Sequence, residues 1–308
     1  MYHFGIKNIQ NQLNGLGYFL KIKKRDKLKN KKVVLMAFAS NDLKRSINRL
    51  SIQARDSNFY SKIKIFNSNN LPSELAGKLS YLLSINKKRG YGYWIWKPYL
   101  IKKVFDEVEN GDIINYLDIG CHIIKENIIK FNEYLNFINM NDKWILPFQY
   151  HSNFNYENKK ILFPNRLEKA YTKGDLLDYF GYYDNEDIIK SPQYWAGCFF
   201  IKKTNKSISF LNEWLEVFDK KFDLIDDSFS KIKNYSDFVE NRHDQSVYSL
   251  LCKKYKLESF SAYECDWAYL DNKRTWEHNK HSPILAKRDL KYGIFRDFLI
   301  VRKKHMRE

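Results

Sequence analysis

The chain has 308 residues, enough for one large α/β domain or for one domain with a substantial appendage. Hydrophobic residues make up 44% of it and support a core, while 53 Lys and Arg against 36 Asp and Glu give a formal net charge of +17. That excess favours an anionic partner: nucleic acid, an acidic membrane surface or a phosphorylated substrate. No apolar stretch approaches the roughly 18 residues of a membrane span, and residues 1–10 lack a signal-peptide apolar region, so we expect membrane contact only at the surface.

Cysteine usage and motif content narrow the class of protein further. The four cysteines show no C-x-x-C pair and no ligand-like spacing, which argues against a zinc site and a disulfide framework and favours a reduced, cytoplasmic protein. The sequence contains no P-loop pattern, no G-x-S-x-G and no H-E-x-x-H. A P-loop enzyme and the commonest hydrolases are therefore not expected.

The first half of the chain alternates between strand and helix patterns. Residues 1–30 form a basic lead-in without a core of its own, and we interpret the lysine-rich run 21–32 as solvated surface rather than as a binding arm. The predicted elements are then a buried strand at 32–38, a helix at 43–53, a strand at 62–66, helices at 74–86 and 97–108, and a buried strand at 113–117. This alternation predicts a largely parallel sheet with helices on both faces.

The second half is less regular. The predicted elements there are a strand at 144–148, a helix at 171–180, a strand at 193–202, and helices at 208–218 and 237–257. No internal repeat and no Pro-, Gly- or Ser-rich linker divides the chain. We therefore expect one domain over residues 31–290, followed by a basic tail over 291–308.

Asp118 stands directly after the predicted strand at 113–117, in the run D-I-I-N-Y-L-D-I-G-C-H. In an open α/β sheet, ligands bind in the crevice beyond the carboxyl ends of the strands. A carboxylate there can hold a divalent metal that bridges the phosphates of a nucleotide. The competing interpretation is that Asp118 caps the following turn or helix.

Residues 88–98, K-R-G-Y-G-Y-W-I-W-K-P, combine basic, glycine and aromatic residues in one loop before a helix. Glycine allows close approach to a ligand, aromatic rings stack on a base or sugar, and Arg or Lys pairs with phosphate. This composition indicates a nucleotide or sugar site. The alternative is an aromatic hinge buried against the sheet.

Three further segments carry candidate site residues. The small residues of Gln193-Tyr194-Trp195-Ala196-Gly197 would let a ligand lie against the backbone, or would serve a tight helix–strand contact. Asp244 and Gln245 are polar positions in an apolar helix pattern and predict either an internal hydrogen-bond network or a ligand site. His278 and His281 are potential metal ligands in a loop, or ordinary histidines.

In this order, R-G-Y-G-Y-W-I-W-K-P, Y-L-D-I-G-C, Q-Y-W-A-G and H-D-Q-S resemble the motifs of bacterial glycosyltransferases with the GT-A fold that are found in capsule and lipopolysaccharide gene clusters. The order is also similar to that of the retaining family 8 glycosyltransferases, and the match runs from Val33 to Lys287. The resemblance implies an α/β, GT-A-like fold, a mostly parallel twisted sheet flanked by helices. It also implies transfer of a sugar from a nucleotide-diphosphate donor to a hydroxyl of a glycan or glycolipid.

The resemblance also implies roles for individual residues. Asp118 would bind a divalent metal, Mn2+ or Mg2+, and the diphosphate, with His281, or less well His278, as the late metal ligand. Gly120 stands where the family has its second Asp, so the metal would bind more weakly, recruit another ligand, or be replaced by Arg89, Lys97 or Lys287. Asp244 and Gln245 match the pair that lines the reacting sugar. The remaining donor-binding positions would be Ser40, Arg89, Tyr93, Trp94, Trp96, Lys97, Tyr116, Gln193, Trp195, Ala196, Gly197 and Lys287.

Several alternatives stay open at this point. A family 8 reaction would retain the anomeric configuration without an enzyme base, whereas Asp244 acting as base would invert it. A nucleic-acid-binding protein would also explain the charge but not the site residues, and we expect no nucleic acid partner. A sugar nucleotidyltransferase should have a Gly-rich loop after the first strand, where this chain has A-S-N-D. We expect a cytoplasmic enzyme that contacts the inner face of the membrane peripherally, each basic residue contributing about 1 kcal/mol on anionic lipid.

Overall fold

A computed structural model describes residues 32–140, 142–152 and 160–287. Its strands are β1 (Val33–Ala39), β2 (Lys62–Asn67), β3 (Ile113–Leu117), β4 (His122–Ile123), β5 (Ile145–Gln149), β6 (Tyr194–Lys202), β7 (Phe260–Ser261), β8 (Ala268–Leu270), β9 (Lys273–Thr275) and β10 (Ile284–Leu285). Its helices are α1 (Lys44–Ser57), α2 (Ser73–Ser84), α3 (Trp96–Phe105), α4 (Ile128–Ile138), α5 (Glu168–Tyr171), α6 (Gly174–Tyr179), α7 (Glu186–Ile189), α8 (Asn205–Lys220) and α9 (Asp244–Lys254). No described helix is long and apolar enough to cross a membrane.

The central sheet has six strands in the order β2-β1-β3-β6-β5-β7. Strand β1 is parallel to β2 and β3, and β7 is parallel to β5, whereas β6 is antiparallel to both of its neighbours. The carboxyl ends of β1 and β3 therefore lie at the same edge as the amino end of β6. Two small two-stranded sheets, β4 with β10 and β8 with β9, complete the described strands.

Both faces of the sheet are covered, because alternate residues of β1 belong to different cores. Val34, Met36 and Phe38 pack with apolar residues of α2, α3, α8 and α9 on one face. Val33, Leu35 and Ala37 pack with residues of α1 and α4 on the other. A strand buried on both faces is expected to be continuously apolar, as β1 is. The predicted fold class, a mostly parallel sheet flanked by helices, is confirmed.

Most predicted elements in the described residues are present, with two corrections. The helix predicted at 237–257 begins only at Asp244, because His243 has φ 53° and ψ −114° and cannot continue a helix. The helix predicted at 171–180 is replaced by the short helices α5 and α6. Helix α4 was not predicted. The domain boundaries near residues 30 and 290, and all of the lysine-rich run except Lys32, lie outside the described residues.

Candidate active site

A buried ammonium group lies between two carboxylates at the carboxyl edge of the sheet. Lys97, in the first turn of α3, donates to the carboxylate of Asp244 and, over 2.9 Å, to the carbonyl of Ala196. Its Nζ lies 3.6 Å from Oδ1 of Asp118, the residue that follows β3. The Lys97 side chain is only 2% exposed, against 42% for that of Asp118. The cluster therefore extends from the core to the solvent-exposed surface at Asp118.

The surroundings of Lys97, Asp244 and Tyr116 shift the pKa values of these three groups. Burial alone would lower the pKa of Lys97, but the carboxylates of Asp118 and Asp244 outweigh it and the pKa is raised. Burial raises the pKa of Asp244 to about 6, although Lys97 acts against the rise. The buried hydroxyl of Tyr116 donates to Oδ1 of Asp118 over 2.6 Å, and burial together with that carboxylate raises the pKa of Tyr116.

The loop before α3 forms a left-handed turn. Five successive residues, Gly90 to Trp94, have φ between 55° and 85°. Each residue with a Cβ in this region is disfavoured by about 1–2 kcal/mol, so the turn needs compensating contacts. The Tyr93 hydroxyl donates to Asp227 over 2.6 Å, and the indole of Trp96 donates to the Gly90 carbonyl over 3.1 Å. The turn ends next to Lys97 and so positions the ammonium group of Lys97 between Asp118 and Asp244.

The exposed side of the turn is joined to the chain before α9. Trp94 stacks on His243, with ring centroids 5.5 Å apart and planes 15° apart. Arg89 forms ion pairs of 2.9 Å with Asp227 and Glu240. Arg89 is thus already neutralised, and the turn holds the segment that leads into Asp244.

Gln193 and Gln245 are linked by a side-chain hydrogen bond of 2.8 Å, in which the amide nitrogen of Gln245 donates to Oε1 of Gln193. Gln193 is fully buried, and its amide nitrogen lies 3.1 Å from the buried carboxylate of Glu168. The carboxylate of Glu168 in turn pairs with Lys253 at 2.7 Å. Of the two alternatives for the polar positions in α9, an internal hydrogen-bond network is therefore present.

Backbone contact between β3 and β6 brings the Ala196-Gly197 pair to Asp118. The amide of Asp118 donates to the Gly197 carbonyl over 2.8 Å. The indole of Trp195 covers Gly197, and a Cβ on Gly197 would lie 2.4 Å from Cε2 of that ring. Only glycine fits beneath the indole without a shift of the ring.

Not all of the predicted site residues join this cluster through contacts. Ser40 follows β1 at the same edge of the sheet. The Trp96 ring is buried against Phe38 at 4.4 Å and does border the cluster, because Nζ of Lys97 lies 5.9 Å from its centroid. Lys287 lies over Trp276, its Nζ 5.5 Å from the ring centroid. His281 is exposed in the turn before β10. Nε2 of His278 lies 2.9 Å from the carbonyl of Asp266.

The side chains around Asp118 determine whether the expected divalent metal could bind there. Within residues 32–140, 142–152 and 160–287, no three His, Cys, Asp or Glu side chains are grouped so as to hold a metal ion. Asp118 offers one carboxylate, of which Oδ1 accepts from Tyr116. Mg2+ is often bound by one or two carboxylates together with substrate phosphates. The residues thus fit a cation completed by the oxygens of a ligand, and do not fit one held by the protein alone.

Asp227, Glu168 and Lys253 were not predicted to belong to this region, and His243 entered only as the first residue of H-D-Q-S, without a role. Glu168 and Lys253 are 85 residues apart, and no local pattern pairs them. One indication was available: Ser246, Ser249 and Lys253 recur at the i, i+3, i+7 spacing of one helix face. A polar stripe on an otherwise apolar helix must find buried partners.

Comparison with known proteins gives no match to any protein-family model and no match to a curated protein. Among solved structures, the chain is similar to a glycosyltransferase involved in the glycosylation of the major capsid of PBCV-1, with 11% identity, 88% of this chain and 99% of that chain covered, and a TM-score of 0.43. It is similar to mouse xyloside xylosyltransferase 1 with 11% identity, 85% and 86% coverage and a TM-score of 0.40. It is also similar to the glycosyltransferase GlyE of Streptococcus pneumoniae TIGR4, with 13% identity, 76% of this chain and 46% of that chain covered, and a TM-score of 0.37. Such scores describe only a loose likeness of architecture.

Proposed function

We propose that this chain is a glycosyltransferase that moves a sugar from a nucleotide-diphosphate donor to a hydroxyl of an acceptor. The observation that carries the proposal is the ammonium of Lys97, buried between Asp118 and Asp244 at the carboxyl end of β3. Buried ion pairs are weak contributors to stability, because desolvation opposes their attraction. A buried cluster in which Lys97 and Asp244 have shifted pKa values is a candidate functional site.

The charge of the cluster supports an anionic ligand bound through a cation. Two carboxylates share one ammonium, so with all three groups ionised the cluster has a net charge of −1. Lys97 and Arg89 both already have carboxylate partners and leave little positive charge for a diphosphate. A bound Mn2+ or Mg2+ at Asp118 would supply the missing positive charge and stabilise the leaving diphosphate.

The remaining residues of the cluster suit the sugar end of the donor. Gln245 is half-buried beside Asp244, in the first turn of α9. Its amide can bond to sugar hydroxyls, while Asp244 and Lys97 set the local electrostatic field. Because the carboxylate of Asp244 is occupied by Lys97 and only 5% exposed, it is poorly placed to take a proton from an acceptor. This favours a retaining reaction without an enzyme base over an inverting one.

We propose a glycan or lipid-linked glycan as the acceptor, in the synthesis of a bacterial surface polysaccharide such as a capsule or lipopolysaccharide. The motif order described above supports this context. The net charge of +17 would favour peripheral contact with an anionic membrane. Such contact would bring the enzyme to a lipid-linked acceptor on the cytoplasmic face.

The test is turnover of defined donors. The protein is incubated with UDP-sugars, GDP-sugars and a CMP-sugar, with Mn2+ and with a chelator, and released nucleotide is quantified by chromatography. Release of UDP or GDP from one donor would support the proposal, and the CMP-sugar is the monophosphate control. If no donor is consumed and the protein instead binds nucleic acid in a salt-sensitive way, the proposal is wrong.

A further inference from the structure

The carboxylate of Glu168 is a buried anion whose two oxygens only accept hydrogen bonds. Its side chain is 0% exposed, and Oε1 lies 2.7 Å from Nζ of Lys253 and also accepts from the Ser249 hydroxyl. Oε2 accepts from the Thr172 hydroxyl over 2.7 Å and from the Gln193 amide over 3.1 Å. Each of these four neighbours donates a hydrogen bond to the carboxylate, so the donor and acceptor roles around Glu168 are fixed.

Those roles determine which way the amide of Gln193 points. The terminal amide atom of Gln193 that lies next to Glu168 is also 3.2 Å from the carbonyl oxygen of Tyr171 and 2.9 Å from the hydroxyl oxygen of Thr172. The Thr172 hydroxyl already donates its hydrogen to Glu168. An amide oxygen there would face a carboxylate and a carbonyl, which only accept. The amide nitrogen must occupy that position, so Oε1 of Gln193 points to the other side.

The orientation of the Gln193 amide determines the orientation of the Gln245 amide. Because Gln193 presents its oxygen, Gln245 must turn its amide nitrogen toward Gln193, as the 2.8 Å bond records. The Oε1 atom of Gln245 is left on the side away from Gln193, and none of the described residues donates a hydrogen bond to it. The orientation thus rests on a chain of donors and acceptors and not on a choice between two similar atoms.

We propose that Glu168, through Gln193, is a positioning residue that fixes the amide of Gln245 so that its oxygen accepts a hydrogen bond from a substrate hydroxyl. This rests on the proposed glycosyl transfer, and it identifies the substrate group at Gln245 as a hydrogen-bond donor. A sugar in which fluorine replaces that hydroxyl cannot donate. Gln245→Glu would retain an acceptor at the same chain length but lose the bond to Gln193.

The activity test uses Glu168→Gln, Gln245→Ala and the double variant with a series of deoxyfluoro donors. Wild type should lose about tenfold or more in kcat/KM with one fluorinated position, as expected when a bonded hydroxyl is removed. That loss should shrink to a few-fold in both single variants, and the effects of the two substitutions should not add. The control Glu264→Gln, which removes a carboxylate bonded to Tyr134 and Lys130 on the other face of the sheet, should leave the fluorine effect unchanged.

A second measurement does not depend on turnover. In protein labelled with 15N at glutamine side chains, Glu168→Gln should move the amide resonances of Gln193 and Gln245, and leave that of Gln53, on α1, in place. Unchanged Gln245 resonances, or additive substitution effects in an active enzyme, would overturn the positioning role. If no donor is turned over but the resonances move as expected, the proposed glycosyl transfer fails while the control of Gln245 by Glu168 stands.

Discussion

The Nζ atom of Lys97 lies 3.6 Å from Oδ1 of Asp118, although the lysine is 2% exposed and the aspartate 42% exposed. The pair therefore crosses the boundary between the core and the solvent-exposed surface. Any ligand that binds Asp118 changes the field at a buried charge, and that charge also holds Asp244. The ammonium of Lys97 on α3 therefore links Asp118 to Asp244 on α9.

Removing the ammonium should expose how much the cluster depends on it. Lys97→Met leaves Asp244 buried without its cation, and we expect the free energy of unfolding to fall by about 3–5 kcal/mol. Adding Asp244→Asn should recover a large part of that loss, because the unpaired charge is gone. Urea unfolding of both variants measures this, with Lys102→Met on the exposed face of α3 as a control expected to change stability by no more than about 0.5 kcal/mol. A double variant no more stable than Lys97→Met would contradict the pairing.

The raised pKa of Asp244 predicts a specific dependence of stability on pH. The folded protein holds this proton up to about pH 6, whereas the unfolded chain loses it near pH 4. As pH rises through that window, the contribution of Asp244 to the free energy of unfolding should therefore fall, by up to about 3 kcal/mol. The difference in stability between wild type and Asp244→Asn, measured by urea unfolding from pH 4 to pH 7, should show this slope. A flat difference would mean that the carboxyl is not shifted.

The contact between Trp195 and Gly197 can be tested with one methyl group. Gly197→Ala places a Cβ 2.4 Å from the indole, so the ring or the strand must move. We expect a loss of about 1–3 kcal/mol in stability, together with weaker nucleotide binding. Gly77→Ala, within α2 and with nothing within 4 Å, is the matched control and should stabilise by up to about 1 kcal/mol. Equal effects of the two substitutions would rule out the proposed contact.

The left-handed turn makes Gly90 sensitive for two separable reasons. An alanine there would have a φ of 56° and a Cβ 2.2 Å from Cε3 of Trp94. Gly111 also has a positive φ, of 93°, but an added Cβ would meet nothing within 4 Å. Gly111→Ala should cost about 1–2 kcal/mol from backbone strain alone, and Gly90→Ala distinctly more. Thermal unfolding of both variants separates the two contributions, and a smaller effect at Gly90 would contradict the described turn.

The parts of the fold that could be predicted are those with a strong local pattern. Strands β1, β3 and β6 are buried and largely apolar, and the helix ahead of β3 begins at the loop that was predicted to precede it. Helix α4 was not predicted, although its buried residues recur at helical spacing: Phe131, Tyr134, Leu135 and Ile138. The start of α9 was not predictable, because the backbone of His243 depends on contacts with distant residues such as Trp94.

In the candidate site, individual residues were predicted from the sequence, whereas the pairings between them were not. Asp118, Lys97, Gln193, Ala196 and Gln245 were all predicted to belong to a site, and contacts bring them into one region. The pairing of Lys97 with two carboxylates was not predicted. Glu168 was not predicted either, because the chain separates it from Lys253 by 85 residues and a buried pair leaves no local pattern in the sequence.

The most direct test of the central claim is calorimetric titration with UDP, GDP and CMP, each with and without Mn2+. Wild type, Asp118→Asn and the control Asp106→Asn, an exposed carboxylate at the other end of α3, are compared. We expect UDP or GDP to bind selectively, binding to strengthen with Mn2+, and Asp118→Asn to weaken it at least about tenfold while Asp106→Asn does not. Folded protein that binds none of the nucleotides, or binds one equally well without the Asp118 carboxylate, would contradict the account.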